Sequence, residues 1–396
     1  MENAAAAPAA EAPIPDFDVY PVRHTIASAG PWSSGTELRW SDGHTSRFHG
    51  LWLRDNCPCP NCVNPVTREQ VFDISTVPED VAPTAISVDE AGALLLNWPD
   101  GHESRYHPGW LRAHCYSVPA TAKIPVTTWG GGFDIPTFDG RQVLDDDKAL
   151  LEWLEALRST GLTLLRKCPL ELGAVEHFAD RIAFLRETNF GRVFDVRSKV
   201  TPDSNAYTAL ELPLHTDLPT RELQPGLQFL LCRVNDATGG DSIMADGFRI
   251  AEALRIETPE HFRALTTLPM EFRNRAQTSD YRTRGPAIRL NDNGEITEIR
   301  LGNFLRGPMR VAEQDMPLLY AAYRRFMSMT REDRFRVSFR LNAGCMAAFD
   351  NRRVLHARSA FDPASGDRHL QGCYVDTDEL LSRIRILRRE PANGTV

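Results

Sequence analysis

The hydrophobic positions divide the chain into a polar start and two regions with different patterning. Residues 1–18 are mainly Ala, Pro and Glu with little to bury, which predicts a disordered tail. Residues 19–123 carry short strand-like runs at 36–40, 85–88 and 93–98, separated by Asp-Gly and Pro turns. This pattern predicts a small β-rich N-terminal domain.

A longer region follows a segment that breaks every periodicity. That segment, residues 124–136, contains three consecutive glycines and is predicted to be a linker. The second domain, residues 137–396, shows helical spacing at 147–158, around 175–185 and at 318–329, and strand-like runs at 162–165, 227–234, 335–341, 346–349, 354–356 and 370–375. Many strands and few helices, without βαβ alternation, predict an antiparallel barrel or sandwich with helices outside. No internal repeat is evident.

Composition and charge exclude several functional classes. The chain of 396 residues is 42% hydrophobic and 25% charged, as in ordinary globular proteins. A formal net charge of −8 offers no strong positive field, so a nucleic-acid partner is disfavoured. No apolar run approaches the roughly 20 residues that cross a bilayer, and the N-terminus lacks the features of a secretory signal. We therefore expect a cytoplasmic protein with reduced cysteines and no membrane partner.

Three of the eight cysteines, Cys57, Cys59 and Cys62, fall within six residues. Thiolates this close can share one ion, and a structural Zn²⁺ takes four Cys or His ligands. The candidates for the fourth ligand further along the domain are His102, His107, His114 and Cys115. His102 is favoured because it lies in a turn from which it could fold back. The alternative is three free thiols without a metal. Four protein ligands leave no open position, so this zinc would be structural.

A second candidate site joins His215, Asp217 and His356, followed by Arg368. His215 and Asp217 are two residues apart, hence on one side of an extended segment. Two histidines and one carboxylate form the facial triad of non-haem Fe(II) oxygenases, and an arginine can pair with the far carboxylate of 2-oxoglutarate. The spacing alone is weak, because a His-x-acid pair occurs about 1.5 times by chance in such a composition. The alternative is that His215 is a surface histidine, Asp217 caps a turn and Arg368 is a solvated charge.

Five sequence blocks carry a family resemblance. They are Gly50-Leu-Trp-Leu-Arg-Asp-Asn-Cys-Pro-Cys59, Leu214-His-Thr-Asp217, Gly239-Gly-Asp-Ser242 with Asp246-Gly-Phe248, Phe349-Asp-Asn-Arg-Arg-Val-Leu-His356, and Arg368-His-Leu-Gln-Gly-Cys-Tyr374. These blocks, in this order, resemble those of the γ-butyrobetaine/trimethyllysine dioxygenase family of Fe(II)/2-oxoglutarate oxygenases. The resemblance extends from about Trp40 to Leu387. The resemblance implies a double-stranded β-helix (jelly-roll) oxygenase domain after a small zinc-binding β domain, and a homodimer.

The resemblance also implies roles for individual residues. It points to His215, Asp217 and His356 as iron ligands and Arg368 as the 2-oxoglutarate arginine. The implied zinc ligands are Cys57, Cys59, Cys62 and His102. The implied activity is hydroxylation of γ-butyrobetaine to L-carnitine with O₂, releasing succinate and CO₂. Ascorbate is expected as the reductant.

Substrate recognition in this family requires ring faces, because a trimethylammonium group cannot donate a hydrogen bond. The positions that match the family's aromatic cage are Phe190, Phe194, Tyr207 and Tyr374, and Asn303 matches an asparagine that reaches the substrate carboxylate. The resemblance implies Tyr and Trp at the first two of these positions in many relatives, so Phe190 and Phe194 depart from the family pattern. Ordinary core packing is the alternative for each ring. Two alternative functions remain open. The chain could oxidise trimethyllysine or another quaternary ammonium acid, or it could be a non-catalytic zinc-stabilised binding protein.

Overall fold

A computed structural model describes residues 20–117, 126–197, 208–276 and 279–388. The predicted tail at residues 1–18 lies outside them. The chain divides into two compact units, Met1–Lys123 and Ile124–Val396. Each unit has its own hydrophobic core. None of the helices in the described ranges has the length and hydropathy of a membrane-spanning segment.

The first unit consists of two three-stranded antiparallel sheets, each followed by a short helix. Their strand orders are β1-β2-β3 and β4-β5-β6. Alternate positions of the strands point into a core that includes Leu38, Trp40, Phe48, Trp98 and Tyr106. The elements are β1 (Ile26–Trp32), β2 (Gly35–Trp40), β3 (Thr45–His49), α1 (Gly50–Asp55), β4 (Ala85–Val88), β5 (Leu94–Asn97), β6 (Glu103–Tyr106) and α2 (Pro108–Ala113).

The two halves of this unit repeat one another, so the expectation of no internal repeat was wrong. Residues 40–57 match residues 98–115 at a constant offset of 58, with identical residues at eleven of the eighteen positions. The turns agree as well, because Gly43 and Gly101 have φ values of 82° and 80°. Hydrophobic periodicity does not show this repeat, because most of the identical residues are polar or aromatic residues of a turn, a strand and a short helix.

The second unit contains two antiparallel sheets that enclose a shared core. The larger sheet has the order β7-β8-β19-β11-β22-β9, in which only the β7–β8 pair is parallel, and the smaller has the order β10-β20-β13-β18. This arrangement confirms the jelly-roll fold predicted from the sequence. The strands of the two sheets are β7 (Thr137–Asp139), β8 (Leu162–Arg166), β9 (Val193–Val196), β10 (Leu212–His215), β11 (Leu227–Asn235), β13 (Ser242–Asp246), β18 (Arg336–Phe339), β19 (Met346–Asp350), β20 (Val354–Arg358) and β22 (Arg368–Val375).

Shorter strands and seven helices complete this unit within the described ranges. The short strands are β12 (Thr238–Gly239), β14 (Met270–Arg275), β15 (Asp280–Gly285), β16 (Ile288–Leu290), β17 (Ile296–Ile299) and β21 (Phe361–Asp362). The helices are α3 (Gly140–Asp145), α4 (Asp147–Thr160), α5 (Ala174–Asp180), α6 (Gly247–Glu257), α7 (Pro259–Thr267), α8 (Met316–Met329) and α9 (Thr377–Leu387). One core lies between α4, α5, α9 and the larger sheet, and another lies between α6, α7, α8 and the smaller sheet.

The helical spacing at residues 147–158 formed the expected helix, α4. Helix α4 is capped at its N-terminus by Asp146, whose side chain accepts hydrogen bonds from two backbone N–H groups, and at its C-terminus by Gly161 with φ 73°. By contrast, α5 ends at Asp180, so its predicted continuation to Leu185 is not helical. Residues 126–136 of the predicted linker pack onto the second unit, where Trp129 is buried and stacks on Phe133.

Candidate active site and metal centres

Two neighbouring strands bring His215, Asp217 and His356 together. His215 at the end of β10 lies opposite His356 in β20, and Asp217 follows two residues after His215. Oδ1 of Asp217 lies 3.2 Å from Nε2 of His215 and 3.7 Å from Nε2 of His356. The three donor atoms all lie within 4.8 Å of one another. This arrangement could hold one metal ion on one side and leave the opposite side open.

The protonation states of these residues suit a metal. Nδ1 of His215 lies 2.9 Å from the carbonyl oxygen of Pro213, which can only accept, so Nδ1 is the donor and Nε2 is the nitrogen that faces Asp217. Burial and the neighbouring His215 lower the pKa of His356 to about 3, so this imidazole is neutral. Burial raises the pKa of Asp217, but His356 and the other partners outweigh it, and the net pKa lies well below its usual value. The donor set therefore fits Fe(II).

Asp217 is fixed from two sides. The hydroxyl of Tyr374 donates a 2.8 Å hydrogen bond to Oδ2 of Asp217. The side chain of Asn351, which is fully buried, accepts from the Asp217 N–H at 2.6 Å and donates to its carbonyl oxygen at 3.0 Å. Both partners orient the carboxylate toward the histidines.

A buried polar network holds Thr216, the residue between His215 and Asp217. Thr216 donates to Oε1 of Gln224 at 2.8 Å, and Nε2 of Gln224 donates to Oε1 of Glu298 at 2.9 Å. Glu298 in turn forms ion pairs of 2.9 and 3.0 Å with Arg300 and Arg352. The position of His215 and Asp217 thus depends on the buried carboxylate of Glu298 and its two arginine partners.

The three donor atoms face a cavity of about 690 Å³ that also receives two arginines. Arg368 begins β22 and packs over Phe361, with 5.6 Å between its guanidinium carbon and the ring centre. Arg358 lies two residues after His356 in β20. The guanidinium carbon of Arg358 lies 4.9 Å from the centre of the same Phe361 ring, so the two cations are close, and burial and the charge of Arg368 lower the pKa of Arg358 to about 10. Such a pair could bind a carboxylate.

Aromatic rings form another wall of the same cavity. The centre of the Phe194 ring lies 6.1 Å from that of Phe190 and 5.0 Å from that of Tyr374. All three rings line the cavity with the metal-ligand candidates. The fourth predicted ring, Tyr207, lies outside the described residues. Three rings on one wall could attract a desolvated cation.

The structure does not bring Asn303 to this cavity, contrary to the expectation from the sequence. Asn303 is exposed at the start of a 3-10 turn, where its Oδ1 accepts a 2.9 Å hydrogen bond from the Tyr323 hydroxyl of α8. The next two residues, Phe304 and Leu305, line the cavity instead. Packing of the turn against α8 thus directs the amide away from the ligands.

The predicted zinc ligands form a second cluster in the first unit. Nε2 of His102 lies 3.2, 3.6 and 3.7 Å from the sulfur atoms of Cys57, Cys59 and Cys62. Burial and the charge of Arg54 lower the pKa of His102, so its imidazole is neutral. Three sulfurs around one imidazole nitrogen fit the four ligands of a tetrahedral structural Zn²⁺.

Comparison with known proteins identifies the family. Residues 122–374 match the taurine catabolism dioxygenase TauD, TfdA family. The chain belongs to this dioxygenase family. Residues 33–112 of the dioxygenase also match the N-terminal domain described as γ-butyrobetaine hydroxylase-like. The match of both regions agrees with the order of domains that the sequence resemblance implied.

Several curated relatives of this dioxygenase are similar over most of their length. It is 57% identical to the γ-butyrobetaine dioxygenase of Pseudomonas sp. (strain AK-1), over 95% of this chain and 100% of that one. It is 30% identical to human γ-butyrobetaine dioxygenase, over 90% and 95% of the two chains. It is also 30% identical to the mitochondrial trimethyllysine dioxygenase of Gallus gallus, over 89% and 85%. A solved asparagine oxygenase is 22% identical with a TM-score of 0.47, over 60% and 83% of the chains.

Sequence reasoning missed two residues of the site. Arg358 could have been found, because side chains two residues apart in a strand share a face and His356 was already assigned. Asn351 carried no such signal. It lies in a turn between β19 and β20, and only the folded chain shows that it reaches the backbone of Asp217.

Proposed function

We propose that this dioxygenase hydroxylates γ-butyrobetaine to L-carnitine, with 2-oxoglutarate and O₂ as co-substrates. Fe(II) would be held by His215, Asp217 and His356. The observation that carries the proposal is one cavity in which three aromatic rings and two arginines surround these three donors. The 57% identity to a γ-butyrobetaine dioxygenase supports the same activity.

The iron would supply the redox chemistry, coupling decarboxylation of 2-oxoglutarate to succinate with transfer of one oxygen atom of O₂ to a substrate C–H bond. The protein's own contribution is binding and orientation. Arg368 would hold the distal carboxylate of 2-oxoglutarate with its two-pronged guanidinium, and Arg358 would add a second positive charge. Arg368 is partly buried, and the exclusion of water strengthens that attraction.

Phe190, Phe194 and Tyr374 would bind the trimethylammonium group. A cation over each desolvated ring face gains about 0.5–2 kcal/mol, so several converging rings select a quaternary ammonium substrate. Tyr374 would also align substrate and metal ligand, because its ring lies in the aromatic wall while its hydroxyl binds Asp217. Which C–H bond reacts would then be decided by this positioning.

The cavity favours γ-butyrobetaine over trimethyllysine. The latter carries an additional α-amino group, which would need an acidic partner. Among the described residues that line the cavity, Asp217 is the only carboxylate, and it faces the two histidines. Trimethyllysine or another quaternary ammonium acid remains the second candidate, supported by the 30% identity to a trimethyllysine dioxygenase.

We assign a structural role to the N-terminal domain, residues 19–123, with Zn²⁺ held by Cys57, Cys59, Cys62 and His102. The distances between His102 and the three sulfurs support this assignment. Residues 137–396 would form the oxygenase domain. A homodimer, ascorbate as the reductant and a cytoplasmic location stay predictions from the resemblance and the sequence.

The proposal is tested by incubating the iron-loaded protein in air with 2-oxoglutarate and γ-butyrobetaine. We expect equimolar succinate and a product one oxygen atom heavier, both detected by mass spectrometry. His215→Ala should abolish both without changing the zinc content. A parallel incubation with trimethyllysine decides between the two candidates. If neither acid yields product while the zinc and iron contents are correct, the proposal is wrong.

A further inference from the structure

The repeat in the N-terminal unit places the turn histidine of each half opposite the cysteine that follows the helix of the other half. His102 of the second half lies 3.2 Å from Sγ of Cys57 in the first half. In the same way His44 of the first half lies 3.5 Å, through Nε2, from Sγ of Cys115 in the second half. His44 and Cys115 therefore occupy the positions equivalent to His102 and Cys57 of the zinc cluster.

The surroundings of the two pairs also match. Trp40 Nε1 donates to Oγ of Ser46 at 2.8 Å, and Ser46 donates to Sγ of Cys115 at 3.0 Å. The equivalent hydrogen-bonded series in the other half is Trp98, Ser104 and Cys57. Sγ of Cys115 therefore has the same kind of hydrogen-bond donor as Sγ of the zinc-ligand candidate Cys57.

A charged pair beside each site is repeated too. Arg112 donates to Oδ2 of Asp42 at 2.9 Å, and Arg54 donates to Oδ2 of Asp100 at 3.4 Å. Each pair joins the helix of one half to the turn of the other. The agreement therefore extends from the ligand atoms to the residues that orient both turns.

The two sites differ in the residues that follow the helix. After Cys57 the chain supplies Cys59 and Cys62, whereas the position equivalent to Cys59 is Ser117. Where the first site has four ligands, the second offers one nitrogen and one sulfur. Both His44 and Cys115 are half-buried, so an ion could reach them.

We propose that His44 and Cys115 form a second metal site, for a thiophilic divalent ion with tetrahedral preference such as Zn²⁺ or Co²⁺. Their separation of 3.5 Å lies within the 3.2–3.7 Å range of the sulfur–nitrogen distances in the four-ligand cluster. Binding releases the thiol proton of Cys115 and leaves the remaining positions to water or an external ligand. With two protein ligands, the site binds more weakly than the four-ligand cluster.

The test is a Co²⁺ titration of the full-length protein that retains one zinc per chain. Near-ultraviolet charge-transfer absorption from thiolate to Co²⁺ reports a cysteine ligand, and no cysteine is present in the donor set His215, Asp217 and His356. Wild type should gain this absorption with about one further equivalent of Co²⁺. Cys115→Ser and His44→Gln should lose it. Cys345→Ser, a control at another half-buried cysteine, should keep it.

The zinc content of each variant shows whether the first unit is still folded. No thiolate absorption in wild type, or the same absorption in Cys115→Ser, would overturn the proposal. A second variant tests the equivalence of the halves directly. Ser117→Cys should add a third ligand and raise the Co²⁺ affinity roughly 10-fold or more, while an unchanged affinity would contradict the proposed arrangement.

Discussion

The ring of Tyr374 lies 5.0 Å from that of Phe194, while its hydroxyl donates a 2.8 Å hydrogen bond to Asp217. One side chain thus connects the aromatic wall of the cavity with the metal-ligand set. Tyr374 is in β22, the strand that begins with Arg368, so a single strand supplies contacts to both ends of the cavity. The two functions of Tyr374 can be separated by substitution.

Tyr374→Phe keeps the ring and removes the hydrogen bond to Asp217. Loss of such an outer partner costs about 10- to 100-fold in metal affinity or activity. We expect a higher Fe(II) requirement of that size with little change in the KM for γ-butyrobetaine. Tyr374→Leu should raise that KM as well. Steady-state kinetics at several Fe(II) concentrations separate the effects, and equal KM changes in both variants would contradict the division of roles.

Arg368→Ala should raise the KM for 2-oxoglutarate roughly 30-fold or more, because the distal carboxylate loses its charged partner. Arg368→Lys should recover only part, since an ammonium group cannot form the two-pronged pair. The zinc content should not change. Arg331→Ala, at an exposed arginine outside the cavity lining, serves as the control and should behave as wild type. An unaltered 2-oxoglutarate KM in Arg368→Ala would show that the carboxylate binds elsewhere.

The metal-ligand candidates could be predicted because each belongs to a short sequence block. His215 and Asp217 are two residues apart, and strand geometry alone puts them on one face. Asn303 lies outside the five blocks, and its direction depends on a contact with Tyr323 from α8. A tertiary contact of this kind leaves no local pattern. The same holds for Asn351, whose partners are distant in sequence.

The fold shows a similar division. Helix α4 was predictable from Leu150, Leu154 and Leu157, which share one face and are buried. Helices α6 and α7 were not predicted, although both have buried faces. The two helices are short and only Thr258 separates them, so their hydrophobic patterns follow one another without a clear boundary. The internal repeat was visible in the printed sequence, as a recurring Trp-x-Asp-Gly-His, and required comparison of the chain with itself.

Phe194 tests whether the aromatic wall recognises positive charge. Phe194→Leu keeps an apolar side chain but removes the ring face, worth about 0.5–2 kcal/mol, so the KM for γ-butyrobetaine should rise about 2- to 30-fold. The inhibition constant of the uncharged isostere, with carbon in place of nitrogen, should change much less. Similar changes for the charged and uncharged compounds would mean that the ring only fills space.

A substitution at Gly372 tests the role of the Phe194 ring without changing Phe194 itself. Gly372 lies opposite Phe194 between β22 and β9, and a Cβ at this position would lie 2.6 Å from two Phe194 ring atoms. Gly372→Ala must therefore displace the ring, and we expect a higher KM for γ-butyrobetaine with an unchanged KM for 2-oxoglutarate. Gly294→Ala would be an unsuitable control because of its φ of 75°. Gly30→Ala has open space around it and should leave both constants unchanged.

Glu298 links the stability of the oxygenase domain to the position of Thr216. Burial raises the pKa of Glu298, but Arg300 and Arg352 outweigh it, so the net pKa lies below the ordinary value of 4.5. Such a carboxylate stabilises the fold at pH values above 4.5, and this contribution is lost as the pH falls through its lowered pKa. Glu298→Gln leaves the buried guanidinium group of Arg300 without its counter-ion and should reduce the free energy of unfolding at pH 7 by roughly 3 kcal/mol.

Urea unfolding of the oxygenase domain at pH 7 and at pH 4 measures the effect. The difference between wild type and Glu298→Gln should be smaller at pH 4, because wild type then begins to lose its carboxylate contribution whereas the variant has none to lose. The variant should also bind Fe(II) more weakly at pH 7, since Gln224 and Thr216 depend on the position of residue 298. Equal stabilities at pH 7 would show that the buried ion pairs only offset the cost of their own burial.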